Sequence, residues 1–84
     1  MAIVIVTPEA QQQIDRLPLT IHGRVRRLLI RLAKWPDVSG AKSLSGNLAG
    51  RYRLRTGDYR LQFHVDGERV VIDKVGHRDR FYES

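Results

Sequence analysis

Apolar positions change period along the chain, and each change marks a structural element. Residues 2–6, AIVIV, are wholly apolar and mostly β-branched, which predicts a buried first strand. Thr7-Pro8-Glu9 then signals a helix start. The Thr7 side chain can cap, Pro8 suits the first helical position, and Glu9 complements the positive end of the helix dipole. Ala10, Ile14 and Leu17 fall at helical spacing, so a first helix is expected from about Pro8 to Leu17, ended by Pro18. From about Leu19 to Lys34, the residues Ile21, Val25, Leu28, Leu29 and Leu32 form the stripe of an amphipathic second helix. Trp35-Pro36 closes that helix, and the Gly-, Ser- and Asn-containing segment 37–50 reads as a loop.

Beyond Gly50 the alternation is that of strands, divided by the turn pairs Gly57-Asp58 and Asp66-Gly67. The resulting order, β-α-α-β-β-β, fits one domain over residues 1–84. Its fold class is α+β, with a four-stranded, mostly antiparallel sheet and two helices packed on one face. If Gly57 and Asp58 form the loop, Arg55 faces Arg60, Leu54 faces Leu61, Arg53 faces Gln62, Tyr52 faces Phe63 and Arg51 faces His64. Strand side chains alternate between faces, so Tyr52, Leu54, Leu61 and Phe63 turn toward the helices. Arg51, Arg53, Arg55, Arg60, Gln62 and His64 turn away from them. A single register thus separates apolar residues from cations, which supports the turn assignment. A loop at Asp66-Gly67 would place Asp73 opposite Arg60. The same alternation would put His77 on the arginine face and Arg78 on the other; a strand break at Gly76 would reverse this, and the break, with Arg78 turned to the site, is the reading adopted.

Charge gives this face a meaning. Fifteen Lys and Arg against nine Asp and Glu leave a net charge of +6, which favours a polyanionic partner such as nucleic acid, the ribosome or an acidic protein. Like charges opposite one another on a sheet repel by up to about 1 kcal/mol, and a face needing only solubility would mix signs. Guanidinium groups hold phosphate through paired hydrogen bonds, so a cluster of them suits an RNA backbone and its reacting phosphate. The second helix also carries Arg24, Arg26, Arg27, Arg31 and Lys34 with no acid between residues 19 and 36. Two readings stand there, a solvated face or a contact with phosphate or acidic protein.

No apolar run approaches the ~20 residues of a spanning helix, and the N-terminal MAIVIVT is too short for a signal peptide, so a soluble cytoplasmic protein without membrane partners is expected. The chain has no cysteine, and His22, His64 and His77 lack paired metal-ligand spacing, so neither metal nor cofactor is expected. His22 reads as a surface residue. His64 is a poor partner for Arg60, being four residues along the strand, about 13 Å at 3.3 Å per residue.

The stretch LSGNLAGRYRLRTGDYRLQFHV followed by VGHRDRFY resembles the second half of the RelE/ParE toxins of type II toxin-antitoxin systems. Leu44, Gly46, Tyr52-Arg53-Leu54-Arg55, Gly57-Asp58-Tyr59-Arg60, Gly76-His77-Arg78 and Tyr82 match in order and spacing. The RelE-like resemblance implies a metal-independent endoribonuclease that cuts messenger RNA in the ribosomal A site, leaving a 2′,3′-cyclic phosphate. It implies roles for Arg53 and Arg55 in nucleotide contact and proton handling, for Arg60 in stabilising phosphate charge, for Arg78 near the leaving group and for Tyr82 in orienting or stacking on the substrate. Arg51, Lys42 and Arg80 are expected to bind RNA. RelE-like sites often carry lysine where this chain has Arg53 and Arg55, and arginine is a poor base, so His77 is the replacement proton carrier to test. The implied partners are a cognate antitoxin, the ribosome and messenger RNA, with no small-molecule cofactor. A ParE-like inhibitor of DNA gyrase and a noncatalytic nucleic-acid-binding module are the alternatives.

Overall fold

The computed structural model describes residues 2–81. Its elements are β1 (Ile3–Val6), α1 (Pro8–Asp15), α2 (Leu19–Leu32), β2 (Lys42–Ser43), a 3₁₀ turn (Gly46–Leu48), β3 (Arg51–Thr56), β4 (Tyr59–Asp66), β5 (Arg69–His77) and α3 (Arg78–Phe81). The strands form one five-stranded sheet in the order β1-β5-β4-β3-β2. β1 runs parallel to β5 and every other pairing is antiparallel. The α+β class therefore holds, with one strand more than the expected four. The extra strand, β2, lies within the segment read as loop; it is too short for periodicity to reveal and exists because Lys42 and Ser43 pair with Arg53 and Tyr52.

The first helix begins where the sequence supplies a start. Thr7 Oγ1 accepts the Ala10 N–H at 3.2 Å and donates to the Ile72 carbonyl at 2.8 Å, so one hydroxyl caps α1 and ties it to β5. Thr7→Ala should lower stability by about 1–2 kcal/mol, read from the urea midpoint, since both bonds are lost together. Ala10 of α1 and Ile21, Val25, Leu28 and Leu32 of α2 pack on Leu54, Leu61, Phe63, Val70, Ile72 and Val75 to form the core. A ring cluster extends it: Trp35 meets Phe63 and Tyr52 edge-on at 5.3 and 4.9 Å, and Tyr52 stacks on Phe63 at 5.5 Å.

Three expectations are corrected. β1 is an edge strand covered on one face only, so Ile3 and Ile5 are 56% and 37% exposed despite the uniformly apolar sequence. The second hairpin turns at Gly67-Glu68, since Asp66 pairs with Arg69. Both hairpin loops begin with glycine at φ +60°, and among the described residues no other residue type takes positive φ. That is the Gly-first requirement of a type II′ turn, whereas a loop at Asp66-Gly67 of type I′ would force Asp66 into the left-handed region.

The third correction concerns β5. Gln62 pairs with Lys74 and Phe63 with Ile72, leaving Asp73 as the extra residue of a bulge. Ile72 and Val75, three residues apart, consequently both enter the core. Asp73 does not oppose Arg60; Gly76 does.

Candidate functional site

The β3–β4 register is the one the sequence dictates, from Arg51 opposite His64 to Thr56 opposite Tyr59. It places Arg51, Arg53, Arg55 and Arg60 on the sheet face away from the helices. β2 extends that face by setting Lys42 beside Arg53. Gly40, Ala41, Lys42, Arg53 and Arg55 line a cavity of about 460 Å³ at this end of the sheet. Arg55 belongs to the groove and also faces Arg60, so it links the groove to the β3–β4 turn.

That turn is where cations from separate elements meet. Arg60 Nη1 donates to the Gly57 carbonyl at 3.0 Å and to its own neighbour Tyr59 at 3.3 Å. The Arg78 N–H donates to the Asp58 carbonyl at 2.7 Å, and its side-chain Nε lies 3.8 Å from carboxylate oxygens of both Asp58 and Asp79. These side-chain ion pairs are well exposed and weak, so an incoming phosphate can compete for Arg78. α2 adds Arg24: a Cβ built on Gly57 would come within 3.2 Å of Arg24 Nη1. Glycine here thus provides both the positive φ and the room for a guanidinium. In the sequence Arg24 is legible only as part of a helix face, and nothing local to the helix shows that it reaches a turn more than thirty residues away.

Farther along the face, Asp73 receives His64. Nδ1 lies 2.9 and 2.8 Å from the two carboxylate oxygens, so Nδ1 carries the proton and donates it; Arg51 Nη1 stands 3.8 Å from the same carboxylate. The bulge residue therefore offsets part of the charge around Arg51, at the end of the face away from Arg60. Gln62, between Arg53 and Lys74 in a cross-strand row, is 7% exposed even though it faces away from the helices, so the centre of the face is covered.

His77 is elsewhere. The bulge at Asp73 inverts the alternation, so His77 pairs with Tyr59 on the helix side and meets its ring edge-on at 5.2 Å. It opens onto a separate cavity of about 570 Å³ whose lining includes Gln13, Arg16, Tyr59 and Asp79. Its Nδ1 accepts the Asp79 N–H at 3.2 Å. A backbone N–H donates in every state, so this nitrogen carries a lone pair, and the Asp79 carboxylate 3.4 Å away is a neighbour without a hydrogen bond to it. The expectation that alternation puts His77 among the arginines is overturned. The chain breaks from the strand after His77, where α3 begins, and not at Gly76. His22 also departs from its expected surface position: it is half-buried with Nε2 covered and unpartnered. Arg80 falls within α3, and Tyr82 lies outside the described residues. Among the described residues no group of three His, Asp or Glu side chains is placed to hold a metal ion, and no helix is long and apolar enough to cross a membrane.

A family model described as the ParE toxin of type II toxin-antitoxin systems, parDE, matches residues 4–82. The chain belongs to this toxin family. No curated protein matches it significantly by sequence. Among solved structures, a chain of the RelBE2 toxin-antitoxin complex from Mycobacterium tuberculosis is 30% identical, with a TM-score of 0.80 over 92% of this toxin and 98% of that chain. A chain of the RelB-RelE antitoxin-toxin complex from Methanococcus jannaschii is 20% identical, with a TM-score of 0.78 over 93% and 94%. The isolated RelE toxin of E. coli is 18% identical, with a TM-score of 0.76 over 92% and 84%. The last two share the fold with this toxin at identities that carry no more than the fold.

Proposed function

We propose that this type II toxin is a ribosome-dependent endoribonuclease that cuts messenger RNA in the A site. The observation that carries the reading is the meeting of Arg60 and Arg78 at the Gly57-Asp58 turn, with Arg55 directly opposite Arg60. In the proposed reaction the 2′-oxygen of the message attacks the adjacent phosphorus. The bond from phosphorus to the 5′-oxygen breaks, the 2′-hydroxyl gives up its proton, the 5′-oxygen gains one, and a 2′,3′-cyclic phosphate remains. The transition state carries extra negative charge on the phosphoryl oxygens, and a guanidinium held by backbone carbonyls, as that of Arg60 is, suits its stabilisation. Arginine stays protonated, so Arg53, Arg55, Arg60 and Arg78 supply charge and alignment and leave proton transfer to other groups. His77 gives limited support as that carrier, since its Nδ1 is occupied and its ring lies on the helix side. Tyr82 keeps the substrate-orienting role that the resemblance implies, and Lys42, Arg51 and Arg80 keep the RNA-binding role expected of them.

The 30%-identical chain belongs to a toxin-antitoxin complex, which supports a cognate antitoxin for this chain as well. An acidic or amphipathic antitoxin segment would complement its net charge of +6. Membership of the ParE toxin family favours a second reading, the ParE-like inhibition of DNA gyrase that the resemblance leaves open. Translation in vitro on programmed ribosomes, with message ends read by primer extension, separates the two when run beside a gyrase supercoiling assay. Discrete A-site cuts are expected. Intact message together with inhibited supercoiling would replace the nuclease reading with the gyrase one.

A further inference from the structure

Arg24, Arg27, Arg31 and Lys34 follow one another along α2 and its end at steps of three, four and three residues, and all four are exposed. At about 100° per residue they share an arc of about 80°, and at 1.5 Å per residue they extend about 15 Å. Thr20 falls in the same arc, which holds no large apolar side chain. The exposed apolar residues Ile30 and Leu19 border the arc, about 40° and 60° beyond Lys34. Arg31 is partly engaged, because its Nη2 donates to the Ser39 carbonyl. Among the described residues, Arg24, Arg27 and Lys34 have no ion-pair partner.

We infer that this stripe is a second contact surface for the phosphate backbone of RNA, continuous with the proposed cleavage site through Arg24 at Gly57. The inference rests on the nuclease reading and names how the toxin would hold the ribosome's RNA beyond the cut message. Two features favour RNA over a protein partner. A protein interface has an apolar centre, whereas this arc is polar and cationic along its length. The stripe also ends at the turn that carries Arg60 and Arg78, so a single polyanion can pass from one to the other without meeting a change of sign on α2. Binding of this kind releases counterions from the backbone, and each phosphate contact adds about 0.7–0.9 to the slope of log affinity against log salt.

The test measures binding of the toxin to purified ribosomes across a salt series. Arg24→Gln/Arg27→Gln/Lys34→Gln should reduce the slope by about 2, following three lost phosphate contacts. Arg27→Gln/Lys34→Gln spares the residue at the turn, serves if the triple variant folds poorly, and should reduce the slope by more than 1. Arg27→Lys should retain the wild-type slope. An unchanged slope in a folded charge-removing variant, with wild-type message cleavage intact, overturns the inference and leaves the nuclease reading standing. The same result with weakened antitoxin binding assigns the stripe to an acidic protein partner instead. A wild-type toxin that neither cuts message nor binds ribosomes overturns both.

Discussion

Arg60→Ala is expected to slow message cleavage on the ribosome by about 10²–10³-fold, the usual loss when one preorganised donor to a transition-state charge is removed. The fold should survive. Arg60 is only half-buried, and the bonds it loses are to the carbonyls of Gly57 and Tyr59 at the margin of the sheet, where water can replace it. Removing Arg60 also relieves its repulsion with Arg55 directly opposite, which offsets part of any loss of stability. Single-turnover cleavage and circular dichroism, measured together, separate chemistry from folding. Arg60→Lys should recover only part of the rate, because an ammonium keeps the charge but lacks the planar pair of donors. Cleavage at the wild-type rate by a folded Arg60→Ala toxin would remove the central group from the proposed site.

Phe63→Ala should have the largest effect on stability. Phe63 is fully buried at the centre of β4, flanked by the rings of Trp35 and Tyr52 and facing Ile72 across the sheet. Truncating a buried phenylalanine costs about 3–5 kcal/mol, comparable to the whole stability of a small domain, which is about 0.05–0.15 kcal/mol per residue. Melting should fall by at least about 12 °C, at roughly 4 °C or more per kcal/mol for a domain of this size. Phe63→Leu leaves less empty volume and should fall by less. A melting temperature within a few degrees of wild type would mean that the ring cluster is not the centre of the core.

The contrast between the two hairpins explains why much of the candidate site is legible in the sequence and part of it is not. In β3 and β4 the alternation of cations with Leu54, Leu61, Tyr52 and Phe63 permits one register, because a slip by one residue would bury arginine. In β5 the sequence Arg69-Val70-Val71-Ile72-Asp73-Lys74-Val75 has apolar residues on both parities, so alternation cannot fix its register. The spacing of two and then three between the buried Val70, Ile72 and Val75 is the available signature of the bulge. Missing it moves Asp73 toward Arg60 and His77 toward the arginines. The true arrangement leaves Asp73 with His64 and sets His77 against Tyr59. The second turn is misplaced for a related reason: Asp-Gly suggests a type I′ loop, while pairing of Asp66 with Arg69 puts Gly67 first in a type II′ loop.

The sequence by itself determined the α+β class, both main helices, the face on which the sheet arginines stand and the membership of the toxin family. The first three depend on local caps and on short-period alternation of apolar and charged side chains, which act between near neighbours in the chain; the membership rests on the residues that resemble the family's motifs. Only the tertiary structure decided that Arg24, Arg60 and Arg78, drawn from α2, β4 and α3, meet at one glycine turn. It alone decided that Lys42 forms a fifth strand and that His77 leaves the arginine face. The physical reason is that such meetings follow from strand register and the packing of elements distant along the chain, where one bulged residue reverses the direction of every side chain beyond it.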